Sequence, residues 1–271
     1  MGNGLTEADQ AGATREAGGT GATGESGDSV ESRVALVLAA GDYYGESIAV
    51  PDGAMVIAAD GGYDHARAAG IRVDYAVGDF DSIVGSVPEG EATLRLPPQK
   101  DDPDLFSALK LGWNRGARTF HIHGALGGRI DHTMSAIRLV GLIASRGGIG
   151  FLYGDGTVVT AVADGALSFA AHETNPQSMV SVFALGGDAH GVTETGLRYE
   201  LSDANLDALS VLGLSNEFRS GAPASIAVRH GVLAVTFPRL APLPTVRHDH
   251  GFSGDLGALD TQVSRFLHHG Q

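Results

Sequence analysis

The sequence contains no cysteine and almost no lysine, and both shortages narrow its chemistry. Without cysteine the chain forms no disulfide, no zinc–thiolate site and no thiol nucleophile. Only two lysines occur, Lys100 and Lys110, and no Gly-x-x-x-x-Gly-Lys-Ser/Thr sequence is present, which excludes a standard P-loop. The 18 basic and 32 acidic residues give a formal net charge of −14, which argues against nucleic acid as a partner because like charges repel.

Long apolar runs are missing as well. The apolar run 34–40 is far shorter than the roughly 20 residues that a membrane-spanning helix needs. No basic segment followed by an apolar stretch marks a secretory signal near the start. We therefore expect a cytoplasmic protein with no membrane partner. Its 271 residues suffice for one or two domains with a hydrophobic core.

Composition divides the chain into four segments. Residues 1–32 are rich in glycine and poor in large apolar side chains, which predicts a disordered tail. Residues 33–155 alternate apolar runs with helical periodicity, which predicts an α/β domain with a mostly parallel sheet flanked by helices. Residues 156–238 contain short β-like runs broken by glycine, such as 225–229 and 232–237, and predict a smaller all-β domain, a sandwich or a barrel. Residues 239–271 are expected to form a loose C-terminal extension.

Aspartates are concentrated where predicted strands end and predicted helices begin. They are Asp60 after strand 54–59, Asp79 and Asp81 after strand 75–77, Asp101, Asp102 and Asp104 around the start of a helix that follows Pro103, and Asp131 at the start of a helix from about 130 to 145. Ligands of α/β proteins bind at such positions. In extended chain, Asp79 and Asp81 would face one ion, and their hard oxygen ligands suit Mg²⁺. For Asp102 we expect a helix cap instead, because it directly precedes Pro103.

Two further groups of residues have a chemical signature. Residues 124–132 read Gly-Ala-Leu-Gly-Gly-Arg-Ile-Asp-His, in which the glycines, Arg129 and a helix start suit a phosphate. An ordinary strand-to-helix turn explains the same residues. His121 and His123 lie on a predicted strand and point to one face, where we expect packing or hydrogen bonding rather than a metal.

Five motifs, in their order and spacing, resemble those of the thiamine pyrophosphokinase family. They are Ala59-Asp60-Gly61-Gly62, Gly78-Asp79-Phe80-Asp81-Ser82, Lys100-Asp101-Asp102-Pro103-Asp104, the segment 124–132 and Gly213-Leu214-Ser215-Asn216-Glu217. The resemblance extends from about residue 34 to about residue 238. It implies a catalytic α/β domain and a thiamine-binding β-sandwich. It also implies transfer of the pyrophosphoryl group of ATP to the hydroxyl of thiamine, with thiamine diphosphate and AMP as products, a requirement for Mg²⁺, and a homodimer with active sites at the subunit interface.

The resemblance also implies roles for individual residues. The set expected to be catalytic is Asp79, Asp81, Lys100, Asp104 and Asp131, of which Asp79, Asp81 and Asp104 would hold Mg²⁺. The residues expected to bind ATP are Asp60, Gly61, Ser82, Asp101, Gly127, Gly128 and Arg129. Those expected to bind thiamine are Asp131, His132, Ser215 and Asn216, with Phe218 or a residue of the partner subunit as the stacking aromatic. One departure is Pro103, which stands where the family usually has threonine and removes a hydroxyl and a backbone donor.

Three other functions stay open at this point. A pyrophosphokinase for another alcohol, such as a hydroxymethylpterin, would use a similar catalytic domain but leaves the second domain unexplained. A phosphohydrolase that forms an aspartyl phosphate would use Asp79, Asp81 and Mg²⁺ but leaves residues 124–132 unexplained. A non-catalytic module that binds nucleotide or thiamine is consistent with the loss of a hydroxyl at Pro103.

Overall fold

The structure, a computed structural model, describes Met1 and residues 33–86, 89–175, 179–249, 251 and 254–264. The predicted disordered tail lies outside the described residues except for Met1. The described strands are β1 (Arg33–Leu38), β2 (Met55–Ala59), β3 (Tyr75–Gly78), β4 (Thr93–Arg95), β5 (Ala117–His123), β6 (Ile149–Gly154), β7 (Thr157–Phe169), β8 (Met179–Ala184), β9 (Ala189–Thr195), β10 (Leu201–Leu206), β11 (Asn216–Glu217), β12 (Ala224–Pro238) and β13 (Thr245–His248). The described helices are α1 (Gly62–Ala68), α2 (Asp104–Asn114) and α3 (Ile130–Ala144). Within these residues, no helix is long and apolar enough to cross a membrane.

The first six strands form a parallel sheet in the order β6-β5-β1-β2-β3-β4. The chain runs outward from β1 to β4 and then returns through α2 to place β5 on the other side of β1. This reversal of strand order opens a crevice at the carboxyl ends of β1 and β5. Strands β1 and β2 are buried along most of their length, as their uninterrupted apolar sequences predict.

Strands β6 and β7 separate two hydrophobic cores. We call β1 to β6 with α1 to α3 the α/β half, and β7 to β13 the β half. Leu152 and Val159 belong to the core that contains residues of α2 and α3, whereas Phe151 and Val158 belong to the core of the β half. Neighbouring residues divide between the two cores because successive side chains of a strand point to opposite faces. The antiparallel pair of β6 and β7 therefore joins the α/β half to the β half in one continuous sheet.

A bulge interrupts the long antiparallel pair of β7 and β12. The register shifts between Val228 and Val232, where the Asp164 carboxylate accepts a hydrogen bond of 2.8 Å from the Gly231 N–H. Before the bulge β12 pairs with β9, and after it β12 pairs with β8. A bulge bends a strand, so the two halves of β12 run in different directions and pair with different strands. The predicted fold class is confirmed, and the two predicted strands at 225–229 and 232–237 are one bent strand.

The C-terminal segment packs against the rest of the chain. Strand β13 pairs with β7, and Leu256, which is 5% exposed, lies in the core that also contains Leu109 of α2. The prediction of a loose extension is therefore wrong for the described residues 254–264. The two leucines that pack in the core, Leu256 and Leu259, are too few and too widely spaced to show a pattern in the sequence. The domain boundaries at residues 155 and 238 stay a prediction.

His121 and His123 lie on one face of β5 and contact Tyr153 of β6, as expected. The His121 Nδ1 lies 2.7 Å from the Tyr153 hydroxyl, and the His123 ring stacks on the Tyr153 ring with centroids 4.5 Å apart. Burial, followed by the neighbouring His121, lowers the pKa of His123 to about 4. The His123 ring is therefore neutral at physiological pH and serves as part of the packed sheet.

This burial predicts that the protein loses stability in mild acid. Between pH 6.5 and pH 5 the unfolded chain binds a proton at residue 123 that the folded chain does not, so the free energy of unfolding falls with pH by about 2 kcal/mol. Urea unfolding at several pH values measures this slope. His123→Phe should flatten the slope, and His230→Gln, at an exposed site, should leave it unchanged. An unchanged slope in His123→Phe would contradict the burial of an uncharged ring.

Candidate active site

A cleft of about 860 Å³ opens at the carboxyl ends of β1, β2, β3 and β5. The predicted site residues in its lining are Asp60, Asp79, Asp81, Ser82, Lys100, Asp101, Asp104, Gly127, Arg129, Asp131 and His132. Gly61 and Gly128 are neighbours of lining residues in the chain. Ser215 and Asn216, which the structure also describes, belong to the β half and are not part of this lining. The structure thus gathers the α/β candidates at one edge of the sheet and leaves the β-half candidates apart.

Three aspartates converge inside the cleft. Asp60 follows β2, Asp79 follows β3 and Asp104 begins α2, and one carboxylate oxygen from each lies within 4.8 Å of the others. Asp60 is only 6% exposed, and its Oδ1 has no hydrogen-bond partner among the described residues. A buried carboxylate oxygen without a partner is unfavourable, and a bound cation removes that penalty. The three side chains therefore fit a divalent metal such as Mg²⁺.

Lys100 lies beside these carboxylates and is buried with them. Its Nζ is 2.8 Å from Asp104 Oδ1 and 3.9 Å from Asp79 Oδ2. Burial raises the pKa of the Asp104 carboxyl, the Lys100 ammonium opposes that rise, and Asp79 and Asp60 add to it. With all three carboxylates ionised, one ammonium leaves two negative charges uncompensated. A divalent cation supplies the missing charge.

Asp81 lines the cleft but lies outside this carboxylate group. The prediction that Asp79 and Asp81 share one face assumed extended chain, and this assumption is wrong because Phe80 between them has a left-handed φ of +63°. Asp79 Oδ1 accepts a hydrogen bond of 3.2 Å from the Asp81 N–H, and Asp81 Oδ1 accepts one of 3.0 Å from the Ser82 hydroxyl. Asp60, predicted to bind ATP, takes the third place in the group.

The start of α2 also differs from its prediction. The helix begins at Asp104 with Pro103 before it and has no side-chain cap. The Asp102 carboxylate instead forms an ion pair of 2.5 Å with Lys110 Nζ. The predicted helix cap at Asp102 is therefore wrong, because the ammonium of the buried Lys110 needs a nearby negative charge.

Sequence reasoning missed residues 39–41, a backbone segment in the lining of the cleft that meets the first residue of the predicted segment 124–132. Ala39, Ala40 and Gly41 follow β1, and Gly124 follows β5. The two segments touch through a hydrogen bond of 2.8 Å from the Gly41 N–H to the Gly124 carbonyl. A Cβ on Gly124 would lie 2.5 Å from the Ala39 oxygen, so only glycine allows this approach. Residues 39–41 have no reactive side chain, and only the pairing of β1 with β5 places them at the site.

The glycine-rich turn leads into α3 as predicted. Gly127 has a left-handed φ of +84°, and its N–H donates a hydrogen bond of 3.0 Å to the Thr133 hydroxyl, which fixes the turn on the first turn of the helix. The exposed Arg129 binds Asp131 through two hydrogen bonds of 3.2 and 2.6 Å. Hydrogen bonding from Arg129 lowers the pKa of Asp131, so this carboxylate is ionised and is a weak proton acceptor.

In the β half, the side-chain amide of Asn216 connects β11 to β9 and to the loop between β9 and β10. Its Nδ2 donates to Glu194 Oε2 at 3.0 Å and to the Tyr199 carbonyl at 2.7 Å, and its Oδ1 accepts from the Tyr199 N–H at 3.0 Å. Tyr199 is 63% exposed. Phe218 is buried against Phe169, so its prediction as a stacking aromatic is wrong. Tyr199 is the exposed ring whose backbone bonds to Asn216, and the sequence pattern Gly196-Leu197-Arg198-Tyr199 ahead of the fifth motif is the signal that could have found it.

Known proteins resemble the chain in both halves. The sequence profile described as thiamin pyrophosphokinase, catalytic domain, matches residues 50–146, and the one described as thiamin pyrophosphokinase, vitamin B1 binding domain, matches residues 170–233. Comparison with curated proteins gives no match.

Solved structures share the fold over most of the chain. Thiamine pyrophosphokinase from Bacillus subtilis is 22% identical with a TM-score of 0.66, over 76% of this chain and 99% of that one. A thiamin pyrophosphokinase family protein from Enterococcus faecalis is 25% identical with a TM-score of 0.61, over 77% and 99%. Thiamin pyrophosphokinase from Candida albicans is 15% identical with a TM-score of 0.62, over 77% and 90%.

The carboxylate group predicts a measurable cation site. Titration calorimetry with Mn²⁺, in the absence of nucleotide, should detect binding to the wild-type chain. Asp60→Asn should weaken this binding by about 10-fold or more, because the amide supplies a neutral oxygen in place of a charged one. Asp52→Asn removes an exposed carboxylate away from the cleft and is the matched control. Equal Mn²⁺ affinity in Asp60→Asn and wild type would disprove the assignment of Asp60.

Proposed function

The chain belongs to the thiamine pyrophosphokinase family and is an enzyme, and from this premise we propose that it transfers the pyrophosphoryl group of ATP to the hydroxyl of thiamine. The products are thiamine diphosphate and AMP. The observation that carries the proposal is the convergence of Asp60, Asp79 and Asp104 on Lys100 in the cleft. Such a group suits a polyphosphate that arrives with a divalent cation.

The charge of the cleft is suited to both proposed substrates, ATP with a divalent cation and thiamine. Its lining contains the cationic side chains of Lys100 and Arg129 and a larger set of aspartates: Asp60, Asp79, Asp81, Asp101, Asp102, Asp104 and Asp131. Free ATP is repelled by this excess of negative charge, so the nucleotide enters as its complex with a divalent cation. Thiamine has a fixed positive charge on its thiazolium ring, which the same carboxylates attract. Asp131, ionised and exposed, suits this attraction better than it suits removal of a proton.

The reaction breaks one phosphorus–oxygen bond and forms another. The hydroxyl oxygen of thiamine bonds to the β-phosphorus while the bond from that phosphorus to the oxygen shared with the α-phosphorus breaks. AMP leaves with that oxygen, and the hydroxyl proton passes to a base. Positioning and neutralisation of charge supply most of the catalysis in such transfers.

We assign separate roles in this reaction to the residues that line the cleft. Asp60, Asp79 and Asp104 would hold Mg²⁺, which supplies neutralisation of the polyphosphate when bound; Asp81 stays a predicted ligand at the edge of the same cleft. The Lys100 ammonium stabilises the negative charge that develops on the transferred group. Arg129, with its exposed guanidinium at the start of α3, is oriented by Asp131 to receive phosphate oxygens.

We propose further that two copies associate so that the β half of one completes the cleft of the other. Support comes from Ser215 and Asn216, which do not line the cleft of their own chain. The loop that precedes them exposes several apolar side chains: Leu209, Val211, Leu212 and Leu214. Association would bury this apolar surface. Tyr199, beside Asn216, would then offer its ring to the pyrimidine of thiamine. Because ATP is the co-substrate, we place the reaction in the cytoplasm.

The activity is tested by following AMP. Purified protein with ATP and Mg²⁺ should form AMP only when thiamine is added, together with an equal amount of thiamine diphosphate, both measured by liquid chromatography. Lys100→Met should lower kcat by about 100- to 1000-fold because the transferred group loses its charged donor. Asp52→Asn is the control, and circular dichroism verifies folding. ADP or free phosphate as the product, or AMP formed equally well from a hydroxymethylpterin, would contradict the proposal.

Mixing two damaged chains tests the shared site. Lys100→Met damages the cleft, and Tyr199→Ala damages the β-half contribution, so each homodimer has two impaired sites. After mixing and exchange of subunits, activity should rise above that of either variant toward about a quarter of the wild-type value, because about half of the dimers are mixed and each has one intact site. Sedimentation verifies the dimer. Activity that stays at the average of the separate variants would show that each cleft works alone.

A further inference from the structure

A segment outside the matched sequence profiles is attached to the catalytic half. We name residues 254–264 the C-terminal strap; the profile of the vitamin B1 binding domain ends at residue 233. Leu256 anchors the strap in the core. The Ala258 carbonyl accepts a hydrogen bond of 2.9 Å from Lys110 Nζ, and the Asp255 carbonyl accepts one of 3.2 Å from Arg146 Nε. The first half of the strap is thus fixed to α2 and to the end of α3.

The second half of the strap forms hydrogen bonds with the loop before α2 on both sides of Lys100. The Asp260 carboxylate accepts a hydrogen bond of 3.0 Å from the Asp101 N–H. The Ser264 N–H donates to the Gln99 carbonyl at 2.6 Å, and the Ser264 hydroxyl donates to the Asp101 carboxylate. The two residues that flank Lys100 in the chain, Gln99 and Asp101, are therefore both held by the strap.

These hydrogen bonds explain how the loop 96–103 keeps the Lys100 side chain in place. Residues 96–103 contain no helix or strand, so hydrogen bonds outside the loop must fix its path. Lys110 adds a third connection between the loop and the strap, because its Nζ donates hydrogen bonds to the Asp102 carboxylate and to the Ala258 carbonyl of the strap. None of the described strap residues lines the cleft, so the strap acts on the site only through the loop. Asp101, predicted to bind ATP, has its N–H and its carboxylate engaged by the strap.

We propose that Asp260 and Ser264 are positioning residues for pyrophosphoryl transfer, which hold Gln99 and Asp101 so that the Lys100 ammonium stays beside Asp104 and Asp79. The proposal rests on the proposed function. A shift of about 1 Å in a group that stabilises a transition state lowers a rate by up to about 100-fold. Loss of the strap contacts should therefore reduce kcat more than it reduces the affinity for either substrate.

The test compares three carboxylate variants of the strap. Asp260→Ala removes the acceptor for the Asp101 N–H and should lower kcat by about 10- to 100-fold with little change in KM for thiamine. Asp260→Asn keeps an oxygen acceptor and should restore most of the activity. Asp255→Ala is the matched control, since the Asp255 carboxylate accepts a hydrogen bond from Gly257 within the strap. Equal kcat in Asp260→Ala and Asp255→Ala would overturn the proposal.

A double variant separates positioning from general loss of stability. In a Lys100→Met background, Asp260→Ala should cause no further fall in kcat, because the group that it positions is gone. If the loss of activity persists in that background, the strap acts elsewhere and the proposal fails. Ser264→Ala, which removes only an exposed hydroxyl contact, serves as a second variant if Asp260→Ala does not fold, and it should lower kcat in the same direction.

Hydrogen exchange gives a measurement that does not depend on the reaction. The backbone amides of residues 99–102 and 104 should exchange faster in Asp260→Ala than in wild type or Asp255→Ala, because the loop has lost a hydrogen bond to the strap. Faster exchange with unchanged kcat would overturn the positioning role. If the wild-type chain forms no AMP from ATP and thiamine, the proposed function fails, and unchanged exchange in Asp260→Ala would show separately that the strap does not hold the loop.

Discussion

The pairing of one buried ammonium with three converging carboxylates is the interaction on which the rest of the site depends. Asp60, Asp79 and Asp104 would repel one another in a partly dehydrated cleft, and Lys100 relieves only one of three negative charges. The residual negative charge makes the apoprotein site unfavourable by itself and favourable with a divalent cation. In the proposed reaction, the same residual charge would repel free nucleotide and would accept its complex with a divalent cation. The proposed selectivity for the substrate and the proposed need for a metal would then have one electrostatic origin.

No single element of the chain could supply this group. Its members come from the ends of β2 and β3, from the start of α2 and from the loop that precedes it. They meet because the parallel sheet brings the carboxyl ends of its strands to one edge. The β half is attached to the same sheet through β6 and β7, whose side chains contribute to both hydrophobic cores. A substitution that disturbs β6 or β7 would therefore change the packing of both hydrophobic cores. The two histidines of β5, His121 and His123, do not line the cleft.

The features that the sequence predicted are those that depend on local patterns. The apolar runs of β1 and β2 and the periodicity of α3 identify buried elements whatever their neighbours are. Other features depend on backbone geometry or distant partners, which no local pattern contains. The left-handed Phe80 separates Asp79 from Asp81, and Asp260 lies 159 residues after Asp101, to which it bonds. Strand β10 was missed because its sequence, Leu-Ser-Asp-Ala-Asn-Leu, is mostly exposed and lacks alternation.

Both lysines of the chain are buried and paired, Lys100 with Asp104 and Lys110 with Asp102. The folded protein therefore offers no lysine side chain on its surface. Reagents and enzymes that modify lysine side chains would meet only ammonium groups that already serve the cleft or the attachment of the C-terminal strap. Modification of Lys100 would consequently report that the loop 96–103 has opened, and modification of Lys110 would report that the C-terminal strap has separated from α2.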